Sequence, residues 1–483
     1  VGRAPIVIEH EQIRLQAYAA ISAGCRGLGF WKTSPIDADS PGALERKLVI
    51  SQLNLEMTLL EPFLATGRVF AEVPFTVANP PPLKVGQRML DFRDTEAERA
   101  EGRAVLAESR NRARGEAKKV DELKAAVLRT NYGVLVLPVW YQTDSQYVPR
   151  ELAANDARMV VQGVDETATA WEISPTHIRS LISKAVPGGV EITIPYFDQT
   201  AFVLFTSNKQ LIDEMRRKIG GLAPQYARQA VELAASKLER TTLVNAELEQ
   251  LGHGQPDGHQ TLARARQILD QAKASLSREA YHDASEFAGQ VSQLARRLQS
   301  RHWDEAVAVM GDPIASPYTV CFQTLPDHWR LIDRIGRSSY SNDENLLRSG
   351  DFEDKETMIV SGWKHTQNVA EKLRAIAELY SPAQQGKYCL RLFALPTAGA
   401  DPPEVISDAP VTVSTPPMSV RAGQILHISG WVKVNGIIKG NPNGVVLYDN
   451  LVGPAGALRW TGPTWEWQRF VAVREVHKSG ELT

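Results

Sequence analysis

The chain has 483 residues, which at roughly 150 residues per domain suggests about three domains and excludes a single small module. Hydrophobic residues make up 43% and charged residues 23%, enough apolar material for several cores and too much for a chain disordered as a whole. Lys plus Arg is 54 and Asp plus Glu is 56, so the net charge of −2 argues against a dedicated nucleic-acid binder. Cys25, Cys321 and Cys389 are too few and too scattered for a disulfide framework. No run of about 18 apolar residues offers a membrane span, and VGRAPIVIEHEQ lacks the basic start and apolar stretch of an export signal.

In chain order, EHEQIRLQAYAAISAGCRGLGFWKTSP reads as helix, turn and short strand. Ile13, Ala17, Ala20 and Ile21 recur at helical spacing, Gly24 stands where a helix would stop, and Gly27 to Trp31 form an uncharged run typical of a strand covered on both faces. A Pro- and Asp-rich loop leads to an amphipathic helix from about Ala43 to Leu64. A helix-strand-helix unit leaves strand edges and faces uncovered, so residues 1–68 are expected to be the tail of a larger α/β domain that starts upstream.

EQIRLQAYAAISAGCRGLGFW and the following ERKLVISQLNLEMTLLEPFLATG resemble the last helix-strand-helix unit of the (β/α)8 barrels of retaining glycoside hydrolases, especially the bacterial beta-galactosidase-like group. The resemblance covers about 60 residues and implies that Trp31 and Lys32 stand at the rim of a sugar site, at the end of a barrel strand. Trp31 serves there either as a subsite wall or as core. The same resemblance places the acid/base and nucleophilic glutamates after the fourth and seventh strands, before this chain begins, so the catalytic residues are unknown. Retaining chemistry needs two carboxyl groups about 5–5.5 Å apart. Glu9 and Glu11 are carboxylates near one another in sequence, but at a helix start the expected role is capping or a surface position.

Residues 69–130 are expected to be a crossover, with Pro74, Pro80, Pro81 and Pro82, followed by a connector rich in both signs of charge. Residues 131–207 carry the β-sandwich expectation: YGVLVLPVWY, ARMVVQGV, ATAWEIS, GGVEITIPYF and TAFVLFTS are short β-branched and aromatic runs between turn signals. Gly188 and Gly189 are placed in a turn, and Phe197, Phe202 and Phe205 in sheet packing. Over 208–308 the grammar is helical. Ile212, Met215, Ile219, Leu222 and Tyr226 share one face, as do Leu262, Ala265, Leu269, Ala272 and Leu276, which with the break at 251–259 predicts an antiparallel three-helix bundle or long hairpin.

A linker is expected over 309–344 and a jelly-roll-like sandwich over 345–483, the latter from NLLRSGDFED, SGWKHT, GKYCLRLF, MSVRAGQILHISGWVKV and WEWQRFVAVREV. These strings resemble carbohydrate-binding-like modules of extracellular glycosidases. That resemblance implies a structural Ca²⁺ with Asp351 and Glu353 as oxygen ligands, and a module that continues past SGELT. Sugar faces stack on indoles, so Trp460 and Trp465 are the candidate carbohydrate contacts, and core is the expectation for Trp467. No G-x-S-x-G elbow, P-loop, dinucleotide fingerprint or zinc spacing is present, and no cofactor is required for the chemistry.

The expectation as a whole is a carbohydrate-active, extracellular or cell-surface multidomain protein of retaining-glycosidase type that lacks its catalytic carboxylate pair in this segment. Its partner would be a polysaccharide or glycoconjugate, with a homo-oligomer or a further barrel segment beside it. A noncatalytic adhesive or structural surface protein with glycan-binding-like modules is the alternative.

Overall fold

The computed structural model describes residues 6–30, 42–78, 123–140, 147–165, 167–337, 345–368, 373–397, 401, 405–406, 408–441 and 443–483. Trp31, Lys32 and most of the charged connector lie outside them. The architecture is mixed: two N-terminal helices, a curled nine-stranded sheet, three long helices, and a set of small β elements.

Helix α1 (His10–Ser22) and helix α2 (Ala43–Thr66) bear out the two expected helices. The strand expected between them does not form over its described part. Residues 25–30 have no regular structure, with Leu28 and Phe30 exposed. A strand covered on both faces needs hydrogen-bonded neighbours at its edges, and no strand among the described residues pairs with this segment.

The sheet begins earlier than expected. Strands β1 (Arg68–Ala78) and β2 (Leu123–Thr130) come from the segment read as crossover and connector. They join β3 (Gly133–Val139), β4 (Ala153–Val161), β5 (Thr169–Ser174), β6 (His177–Ser180), β7 (Ser183–Val186), β8 (Gly189–Asp198) and β9 (Val203–Thr206). The order is β6-β5-β9-β3-β2-β1-β4-β8-β7, in one continuous sheet whose paired strands all run antiparallel. Tight turns join β2 to β3, β5 to β6 and β7 to β8. At β7–β8, Val186 pairs with Gly189 around Pro187 and Gly188, the latter at φ 97°. Strands β2 and β3 are buried on both faces, because α1, α2 and the first turns of the next helix cover the sheet in one continuous core. Phe197, Phe202 and Phe205 lie in that core.

Helix α3 (Lys209–Gln250) starts where the Asn208 side chain accepts the Leu211 amide at 3.0 Å. It packs against α4 (Gly258–Ser277) and α5 (Tyr281–Met310) as a three-helix bundle. Ala227, Ala234, Ala265, Ala272, Ala284 and Ala288 at the seam are small enough to let the helices approach closely.

The region read as a linker is packed instead. Helix α6 (Leu325–Arg337) follows a compact turn in which the Trp303 indole donates to the Thr319 carbonyl at 2.8 Å, and Phe322, Leu325 and Trp329 are buried against α3 and α5. Phe322, Leu325, Trp329 and Ile332 advance by 3, 4 and 3, a helical period in a stretch whose Pro and Asp residues read as linker.

The last region carries α7 (Lys355–Ser361) and ten short strands in five two-stranded antiparallel ladders. Strand β10 (Lys364–Gln367) pairs with β13 (Val411–Ser414), β11 (Leu373–Tyr380) with β12 (Cys389–Pro396), and β14 (Met418–Val420) with β19 (Gly480–Leu482). Strand β15 (Ile425–Val432) pairs with β18 (Gln468–Glu475), and β16 (Val445–Leu447) with β17 (Leu458–Trp460). The β15–β18 ribbon is anchored on the helical region. Val471 and Val473 pack on Met310, Ala315, Tyr318 and Leu331, and the Val473 amide donates to the Ala315 carbonyl at 2.7 Å. No helix among the described residues is long and apolar enough to cross a membrane.

Candidate functional site

Two places concentrate chemistry. The first surrounds Glu9 and Glu11 at the start of α1, and both residues are 0% exposed. The Gln12 side chain accepts the Glu9 amide at 2.8 Å, which fits the expected helix-start role, but neither carboxylate is at the surface. The Lys237 ammonium holds Glu9 at 2.6 Å and Glu11 at 3.0 Å. Arg240 forks onto both Glu9 oxygens at 2.7 Å and also onto Glu45 of α2, at 2.8 and 3.0 Å. Arg296 of α5 reaches Glu11 at 3.4 Å and Asp198 at the end of β8 at 2.7 Å, and His10 stands 3.1 Å from Glu11.

Burial by itself raises a carboxyl pKa, yet the cations outweigh it here. For Glu9, burial is overcome by Arg240 and Lys237, and the group stays below its ordinary value. For Glu11, burial is overcome by His10, Lys237 and Arg296, which bring it down to about 2. Glu45 is lowered in the same way, by Arg240 and His10 against burial. Asp198 goes the other way, its burial outweighing Arg296. The cluster therefore keeps three ionised carboxylates sealed among three cations. It can dock α1, α2, the sheet and the bundle on one another, and as arranged it offers no carboxylate to a substrate. A companion cluster, in which Arg14, Tyr18 and Tyr226 all bond Glu56 at 2.7–2.8 Å, ties the same helices together a few turns away.

The second place is a cleft of about 3100 Å³ between the C-terminal ladders. Trp431, Tyr448, Trp460, Trp467, Tyr380 and Tyr388 are among its lining aromatics, with Asn435, Asn441 and Asn443 among its amides. The β15–β18 ribbon positions part of it. Trp431 lies directly opposite Arg469 near the end of the ribbon that projects beyond the helices, and it is 44% exposed. The loop after β15 is pinned to the loop before β18: the Val434 amide donates to Thr464 Oγ1 at 2.9 Å, and the Thr464 and Trp465 amides donate to the Val434 carbonyl at 2.9 and 3.3 Å. This holds Trp465 at φ 59° with its side chain 64% exposed.

The residues expected from sequence are distributed unevenly over this geometry. Trp465 is an open indole outside the cleft's lining, on the turn bonded to Val434, which does line it. Trp460 is half-buried and meets Phe470 edge-on, ring centroids 5.6 Å apart, within a small core with Ile314, Leu458 and Ala472. Trp467 is half-buried in the cleft wall. Asp351 and Glu353 also line the cleft, but a Glu353 oxygen accepts the Lys387 and Tyr388 amides at 2.7 and 3.2 Å. Ca²⁺ takes about six to eight oxygens, and no group of three His, Cys, Asp or Glu suited to a metal occurs among the described residues. Trp431 went unselected from sequence although its strand was expected. Its signal was position, in SGWVKV, where a Trp alternates with a Lys across a short strand. Lys237, Arg240 and Arg296 had no such signal, because a cation on an amphipathic helix reads as solvent-facing.

No family model, curated protein or solved structure matches this chain.

Proposed function

We propose that this chain binds a polysaccharide or glycoconjugate through its C-terminal β region, as the recognition part of a carbohydrate-active, extracellular or cell-surface protein of retaining-glycosidase type. The observation that carries the reading is the exposed indole of Trp431 in a cleft lined by aromatics and amides, with the exposed indole of Trp465 on a turn bonded to the lining residue Val434. A non-glycine residue in the left-handed region costs of order 1–2 kcal/mol, and holding Trp465 there with its indole in solvent has no packing benefit to offset it. Sugar stacking supplies a reason.

Binding without turnover is the form of the proposal for this chain. Glu9 and Glu11 are paired with cations and sealed from solvent, so neither serves as acid or nucleophile. The test is a glycan array on the full chain with Trp465→Ala beside the wild type, and thermal unfolding of both. The expected result is binding to at least one polymeric glycan, weakened in the variant with no change in unfolding temperature, and no reducing sugar released. Absence of binding across neutral and acidic glycans would contradict the proposal, as would sustained hydrolysis by the homogeneous chain.

A further inference from the structure

Resting on that reading, we infer that the glycan is acidic, a polymer bearing uronate or comparable anionic groups, held by Lys433 and Lys439 while the indoles stack on its sugar rings. Both lysines line the cleft together with Trp431 and Trp467. Neither ammonium has an acidic partner among the described residues. The cleft's own carboxylates are mostly engaged. Asp449 is buried on Arg474 at 2.6 Å, and Glu353 accepts two backbone amides, which leaves Asp351 as the lining carboxylate with no bonded partner among the described residues.

The segment that bears Trp431 repeats this imbalance: residues 425–440 contain Lys433 and Lys439 and no carboxylate. Two unpaired cations beside stacking aromatics, in a cleft with apolar walls, form a field complementary to a polyanion whose rings also present C–H faces. A neutral glycan would leave both ammonium groups to solvent, with no charge of the ligand to meet them.

The backbone of the loop carrying the lysines is held at both ends, so it needs little ordering on binding. Val434 is bonded to Thr464 as described, the Ile406 amide donates to the Gly440 carbonyl at 2.7 Å, and the Asn441 side-chain amide donates to the Ile406 carbonyl at 3.1 Å. The backbone at Lys433 is thereby held next to the Trp465 turn and that at Lys439 next to the strap at 405–406.

The experiment compares oligogalacturonate with its fully methyl-esterified form, the same sugar backbone without the charge, by calorimetric titration of the full chain at low and high salt. The expected result is binding of the acid at least about tenfold tighter than the ester at low salt, a gap that narrows as salt screens it. Lys433→Gln and Lys439→Gln should each weaken acid binding by up to about fivefold, leave ester binding unchanged and leave thermal unfolding unchanged. Equal affinity for acid and ester, or full acid affinity retained in both lysine variants, overturns the acidic-glycan inference and leaves the glycan reading standing. Equal binding of polyglutamate or single-stranded DNA overturns it too, since charge alone would then suffice. Loss of binding to every glycan, neutral ones included, is the separate result that removes the underlying reading.

Discussion

The sheet-and-helix region and the C-terminal β region differ in how they place charges and aromatics, although the second also seals one ion pair, Asp449 with Arg474. In the first, Glu9, Glu11, Lys237 and Arg296 are 0% exposed and bonded to one another, and Trp140 and Trp303 are fully buried. In the second, Trp431 and Trp465 are open, Lys433 and Lys439 lack acidic partners among the described residues, and Leu392, Leu395, Ile437 and Tyr448 are exposed apolar residues around a cleft. Sealed charge costs desolvation and is retained only with well-formed partners. Open aromatic surface is avoided unless something covers or uses it. The contrast is what the proposed function uses, with support in the first region and recognition in the second.

The largest effect expected to break the comparison comes from Arg240, which holds Glu9 and Glu45 together. Arg240→Met should leave two buried carboxylates short of a cation and cost about 3–5 kcal/mol, read as a fall in the denaturant midpoint. A change below about 1 kcal/mol would show that the cluster is not sealed as described.

Acid should weaken the same region in two stages. His302 and His328 are lowered to about 4, chiefly by burial. Their unfolded forms take up a proton near pH 6.5 and their folded forms do not, so the stability they contribute is present above 6.5 and lost as pH falls toward 4, by up to about 3 kcal/mol each. Glu11 is lowered to about 2, so its contribution is present above its ordinary value near 4.5 and lost as pH falls toward 2. Urea unfolding from pH 8 to 3 checks both stages, and a flat profile between 6.5 and 4.5 contradicts the first.

A smaller effect is expected at the β7–β8 turn. Gly189 has φ 149°, and a Cβ there would stand 2.2 Å from the Val161 carbonyl oxygen. Gly189→Ala should destabilise by about 2 kcal/mol, whereas the same substitution at Gly188, where no atom lies within 4 Å, meets only its φ of 97° and should cost less. Smallest of all is the effect of Trp465→Ala on folding, within about 0.5 kcal/mol for so exposed a side chain.

Much of the secondary structure was legible in the sequence because period and turn chemistry are local. The helix stripes at Ile212 to Tyr226 and Leu262 to Leu276, the break near Gly252 and the β runs from Val134 to Thr206 all depend on neighbours within a few residues. What depends on distant partners was not legible. Strand β2, LKAAVLRT, follows a charged stretch and becomes a strand by pairing with β1 and β3. Gly27 to Phe30 have strand composition but no paired neighbour among the described residues. The site divides in the same way. Trp465 was legible as an aromatic alternating with Trp467, but it stands in a left-handed turn before β18 and not on a strand face. The burial of Glu9 and Glu11 was not, because their partners Lys237 and Arg296 lie more than 220 residues away in sequence.

The most direct test of the division into support and recognition is one titration series: the full chain and its Trp431→Ala/Trp465→Ala double variant against a polymeric glycan that the wild type binds, with the unfolding temperature of each recorded alongside. The account predicts at least a tenfold loss of affinity at an unchanged unfolding temperature. Unaltered affinity, or a loss that appears only together with a marked drop in unfolding temperature, would contradict it.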